Sequence, residues 1–148
     1  MLIKLLPDQL VKIWDMIRYA IVETFMPRNS CTNEHLRYIF SCLLSGRMQI
    51  WVGFSKKPNE DGSRKFIGFL ITRIATEPAT GDRVLSIDHI YAFAPVEDEL
   101  FKVGMEIIQK FAEKNKCRYL TAMTENSRVS MLSEKLGFSS RSYLFKEV

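Results

Sequence analysis

The apolar positions change period several times along the chain, and each change marks an element. Residues 2–6 form a short apolar run ended by Pro7, which predicts a strand. Asp8 then offers an N-cap carboxylate. Leu10, Ile13, Trp14, Ile17, Ala20, Ile21 and Phe25 recur at helical spacing until Pro27 ends the helix. Thr32 predicts the cap of a second helix with the stripe Leu36, Ile39, Phe40, Leu43 and Leu44, stopped by Gly46. The period then falls to two. Runs at 48–55, 65–74 and 83–93 predict three antiparallel strands, the third carrying Ile87, His89, Tyr91 and Phe93 on one face. On that alternation Asp88 and His89 point to opposite faces.

A helical period returns in Leu100, Val103, Gly104, Ile107, Ile108, Phe111 and Ala112. A short strand follows at 118–123. Ser127 predicts the cap of a helix carrying Val129, Leu132 and Leu136 and closed by Gly137, and a last strand is predicted at 139–145. The order β-α-α-β-β-β-α-β-α-β predicts a mixed α/β fold: one mixed central sheet with helices on both faces, in a single domain spanning 1–148. The polar stretch 56–65 reads as a hairpin loop.

Composition narrows the function classes. At 148 residues and 47% hydrophobic, the chain supports one core and is not disordered. A net charge of +4 suits an anionic ligand but is too small to require nucleic acid. Cys31, Cys42 and Cys117 lack CxxC spacing, and with two His they form neither a disulfide framework nor a metal site. No apolar run reaches the roughly 20 residues that span a bilayer. A cytoplasmic protein without membrane attachment is expected.

Three segments resemble the GNAT superfamily of acyl-CoA-dependent N-acyltransferases. Lys65-Phe-Ile-Gly-Phe-Leu70 is similar to the start of that family's third strand. Ser86-Ile-Asp-His-Ile-Tyr-Ala-Phe-Ala-Pro95 resembles its fourth strand, with a Pro before the cofactor loop. Asn126 with Leu132-Ser-Glu-Lys-Leu-Gly-Phe138 is similar to its Asn and its aromatic-Tyr-x-x-Leu-Gly-Phe signature. The resemblance implies acetyl-CoA or another acyl-CoA as co-substrate. Its pantetheine would lie along the strand backbone at Tyr91, Ala92 and Phe93, its pyrophosphate would meet the amides of Lys102, Val103 and Gly104, and Asn126 would contact the pantetheine or another part of the CoA. Asp88 or His89 would take the proton of the attacking amine.

The sequence departs from the family pattern at three places. Of the Gln/Arg-x-x-Gly-x-Gly/Ala loop, Gly104 matches the second Gly, Lys102 replaces the first, and Glu99 stands at Gln/Arg. Glu97, Asp98 and Glu99 complement a helix dipole but repel a phosphate. Ser133 occupies the position of the Tyr that protonates the leaving thiolate, and Tyr143 is a possible substitute. The short tail after Phe138 has room for one of the family's two last strands, leaving an edge that a second copy or a larger assembly would cover.

Three functions follow as expectations. The first is transfer of an acyl group to an amine on a small molecule or protein. The second is a binding or structural role for a fold whose cofactor loop has decayed. The third, an association of the basic chain with nucleic acid, has no recognition motif behind it.

Overall fold

A computed structural model describes residues 1–24, 31–142, 144, 146 and 148. The elements are β1 (Leu2–Lys4), α1 (Pro7–Thr24), α2 (Asn33–Leu44), β2 (Met48–Phe54), β3 (Phe66–Thr76), β4 (Arg83–Ala92), α3 (Asp98–Lys114), β5 (Tyr119–Ala122) and α4 (Ser127–Lys135). The strands form one sheet in the order β1-β2-β3-β4-β5, antiparallel except for the parallel pair β4 and β5.

Alternation along the strands sorts the interior into two cores. Ile50, Val52, Phe69 and Ile71 meet Leu10, Ile17 and Ile21 of α1 and Leu36, Ile39 and Leu43 of α2. Trp51, Leu70, Leu85 and Ile87 meet Met105, Ile108 and Ala112 of α3, with Leu136 and Phe138 beyond α4 packed against them. Side chains fully removed from water, such as Ile71, Leu85 and Ile108, each contribute about 1.5–3 kcal/mol of burial. The buried polar groups on the second face satisfy one another: Trp51 Nε1 donates to Thr72 Oγ1, which donates to Gln49 Oε1.

Helix ends correct two expectations: Ser127 is the first residue of α4 and its N-cap is Asn126, and the start of α1 differs as well. Asp8 is not the N-cap of α1, because the helix starts one residue earlier with Pro7 in its first position, where no N–H is needed. Gln9 Oε1 instead accepts the Leu6 N–H at 2.9 Å. The predicted end of that helix, Phe25 and Pro27, lies outside the described residues. Thr32 does cap α2, in a box closed by His35. Of the last predicted strand, Tyr143 and Phe145 lie outside the described residues, and Ser139 to Ser142 and Leu144 form no strand.

The ending Leu136-Gly137-Phe138 has a structural explanation. Gly137, at φ +90°, donates its N–H to the Glu134 carbonyl, and Phe138 donates to the Ser133 carbonyl. This is a Schellman stop, in which the left-handed residue is best a glycine. It returns Phe138 to the second core.

Candidate active site

Strand β4 carries an extra residue. Thr72 pairs with Ile87 and Ile71 with His89, so Asp88 has no partner on β3. Such a bulge twists the strand and resets the faces that follow. Ile87 therefore belongs to the second core, whereas His89 and Tyr91 lie opposite Ile71 and Phe69 of the first. The expectation of one face for Ile87, His89, Tyr91 and Phe93 is corrected accordingly.

The bulge also overturns the expectation that Asp88 and His89 diverge. Arg73 pairs with Ser86 and alternates with the inward-facing Thr72, which places it on the α1/α2 side. Asp88 joins that pair: Arg73 Nε donates to Oδ2 at 2.8 Å, Arg73 Nη2 to Oδ1 at 3.3 Å and Ser86 Oγ to Oδ1 at 2.6 Å. His89 Nδ1 lies 3.3 Å from Thr24 Oγ1 at the end of α1. Both side chains thus reach the same face. Their chemistry differs. Both Asp88 oxygens are engaged in anchoring the bulge. Burial lowers the pKa of His89 below 6.5, partly opposed by the Asp88 charge, so the imidazole is neutral at pH 7.

The parallel pairing of β4 with β5 stops at this bulge. Its last pair is Ile87 with Ala122, where β5 ends. Asp88 to Ala92 continue along β3 without a β5 partner. Phe93 N–H donates to the Ile67 carbonyl at 2.7 Å. By the alternation of antiparallel pairs, Tyr91 and His89 likewise turn their backbone groups to β3, and those of Ile90 and Ala92 face the open edge. Of the three expected pantetheine contacts, Ala92 is on that edge, while the backbone of Tyr91 and Phe93 is turned away. Ile90 is the residue missed in the sequence.

Two helices begin beyond this edge, α3 after β4 and α4 after β5. Crevices at the carboxyl ends of neighbouring parallel strands are common ligand sites. The first helical bond of α3 runs from Phe101 N–H to the Glu97 carbonyl. The unbonded amides of its first turn are therefore those of Asp98, Glu99 and Leu100. Lys102, Val103 and Gly104 lie further along, where their N–H groups close the helix, so the amides expected to meet a phosphate are not free and the free ones belong to the first turn. A Cβ at Gly104 would meet only Leu2 Cδ2, at 3.9 Å, so no close approach requires glycine there.

Arg128, also missed in the sequence, joins the two helix starts. Its Nη2 donates to the Val96 carbonyl at 2.7 Å and to Asp98 Oδ1 at 2.9 Å. Asn126 is the N-cap of α4, its Oδ1 accepting from the amides of Arg128 at 3.0 Å and Val129 at 3.2 Å. Its capping role alone predicts that Asn126→Ala lowers stability by about 1 kcal/mol, measurable by urea denaturation. Ser133 lies in the last turn of α4, and Tyr143 is outside the described residues.

The open edge fits an extended chain bearing amides. The α3 end offers three free donors and the Arg128 cation to an anion, set against the carboxylates of Glu97, Asp98 and Glu99. Among the described residues, no helix is long and apolar enough to cross a membrane.

No protein-family model matches the chain, and no curated protein matches it. Solved structures do. A predicted acetyltransferase with acetyl-CoA from Clostridium acetobutylicum is similar over 100% of this chain and 95% of its own, at TM-score 0.68 and 14% identity. A glucosamine-6-phosphate N-acetyltransferase from Arabidopsis thaliana covers 100% and 97%, at TM-score 0.65 and 15% identity. A ribosomal-protein-alanine N-acetyltransferase from Brucella melitensis biovar Abortus 2308 covers 99% of both chains, at TM-score 0.64 and 17% identity.

Proposed function

Because the chain has the fold of the GNAT acetyltransferases, we propose that it transfers an acyl group, acetyl in the first instance, from an acyl-CoA to an amine. The observation that carries this reading is the edge of β4, where, among the described residues, Ile90 and Ala92 have no strand partner on the side away from β3, beside the bulge that holds His89. In this reading the pantetheine amides pair with that edge, and the thioester lies at the bulge. The neutral amine, approaching from the α1/α2 face, attacks the thioester carbon. The C–N bond forms and the C–S bond breaks. The amine proton passes to neutral His89, and the leaving thiolate takes a proton from water. Asp88 remains the anchor of the bulge. The free thiols of Cys31, Cys42 and Cys117 suit the cytoplasm.

The test is calorimetric titration of the full chain with acetyl-CoA. Saturable binding is expected, and none at millimolar ligand would end the reading. Asp98→Asn removes a carboxylate from the start of α3 and releases Arg128. It should tighten binding about fivefold, equivalent to about 1 kcal/mol. Weaker binding in that variant would place the phosphates elsewhere.

A second reading, a binding or structural protein that keeps the fold without the transfer, is favoured by the acidic first turn of α3. Thiol release from acetyl-CoA, assayed against a panel of amines, separates the two.

A further inference from the structure

The last residue of α1 reaches β4 through one hydroxyl. Thr24 Oγ1 lies 3.0 Å from the Ala20 carbonyl, 3.4 Å from the Ile21 carbonyl and 3.3 Å from His89 Nδ1. A hydroxyl carries one proton, and a carbonyl only accepts. The proton therefore belongs to the helix backbone, the common back-bond of a helical Thr. Turned instead to Nδ1, it would leave two oxygens facing each other at 3.0 Å with no hydrogen between them. The contact with His89 then has one polarity: Nδ1–H donates and Oγ1 accepts. A neutral imidazole has a single N–H, so its lone pair is on Nε2.

We propose that Thr24 is a positioning residue that sets the tautomer of His89, keeping the proton on Nδ1 and the basic lone pair on Nε2. The functional meaning of this rests on His89 as proton acceptor; the tautomer itself does not. An imidazole in water favours the opposite tautomer, so the Thr24 bond works against the intrinsic preference of the ring. The chain supplies its own comparison. His35 Nδ1 accepts the Thr32 N–H at 3.3 Å, which puts the His35 proton on Nε2. These are the two histidines of the sequence, and they are held in opposite tautomers.

Long-range proton–nitrogen correlation spectra of the full chain at neutral pH test this. One ring should be protonated on Nδ1 and one on Nε2, with the first assigned to His89 by its loss in His89→Gln. Thr24→Val, similar in shape but without the hydroxyl, should move His89 toward the Nε2–H form, and Thr24→Ser should restore the wild-type pattern. Nε2–H at His89 in the wild-type chain overturns the proposal, and does so even if the valine variant fails to fold. An unchanged His89 tautomer in Thr24→Val overturns it as well. In an acyl-transfer assay the valine variant should lose about tenfold in kcat at constant KM, with recovery in the serine variant. A chain that transfers no acyl group yet shows Nδ1–H at His89 would refute the acyltransferase reading and leave this inference intact.

Discussion

His89→Gln is expected to lower kcat for acyl transfer by about 10²–10³-fold, the range lost when a positioned general base is removed. Glutamine keeps a polar amide near Thr24 but cannot take a proton at neutral pH. Acyl-CoA binding should be unchanged, because the groups assigned to it are the β4 edge and the helix starts. A calorimetric titration beside the rate assay therefore isolates the effect. If the variant reacts at the wild-type rate, His89 is not the base, and the engaged Asp88 oxygens leave ordered water as the simplest acceptor.

The same substitution should change the pH profile of stability. The folded pKa of His89 lies below the ordinary 6.5, chiefly through burial, with Asp88 opposing. Between that folded value and 6.5 the unfolded chain takes up a proton that the folded chain refuses. Unfolding is thus favoured as pH falls through this window, and the stability present above 6.5 declines. His89→Gln removes this contribution to the slope. Denaturant midpoints measured from neutral to mildly acid pH in both chains give the comparison. Equal slopes would mean that burial does not disfavour the charged imidazole.

What the sequence made legible was mostly local. Thr32 and Gly137 are helix boundaries that cap chemistry alone identifies, and both stand where it puts them, whereas Ser127, expected as the cap of α4, is its first helical residue and leaves the cap to Asn126. Pro7 was an available signal of the same kind, since proline favours the first helical position, and it outranks Asp8 as the mark of the start of α1. The acids Glu97, Asp98 and Glu99 likewise mark a helix start. They place the free amides of α3 before Lys102, whatever loop pattern is laid over them.

The site was less legible because it depends on a count. Strict alternation through Ser86-Ile-Asp-His-Ile is correct only if no residue is extra, and no glycine in the run flags a bulge. The partner that stabilises the bulge, Arg73, is 15 residues away across a hairpin. One unpaired Asp88 then reverses every later side chain and decides which amides face the open edge. The contact of Thr24 with His89 spans 65 residues, beyond the reach of any local pattern. Arg128 was hidden for a different reason: a lone arginine in a first helical turn reads as solvated until the carbonyl and carboxylate it meets are known.

The largest stability loss should come from Gly68→Ala, at about 3 kcal/mol, a strongly destabilising value for one methyl group. Gly68 lies on β3 between Gly53 of β2 and Ala92 of β4. A Cβ there would fall within the contact shell of the Tyr91 carbonyl oxygen and only 2.9 Å from Ala92 Cα. Both are backbone atoms, so no side-chain rotation relieves the overlap, and β4 must move. Gly53 is the matched control, because a Cβ added to it meets the Gly68 carbonyl oxygen at an ordinary 3.7 Å. Gly53→Ala should stay within about 1 kcal/mol of the wild type. Urea denaturation of both variants measures the difference. The displaced backbone would be that of Tyr91 and Ala92, which includes part of the proposed pantetheine edge. Any Gly68→Ala chain that still folds should therefore bind acetyl-CoA more weakly, while Gly53→Ala binds it normally. Wild-type stability in Gly68→Ala would mean that β3 and β4 do not approach this closely, and the assignment of Ala92 to the open edge would fall with it.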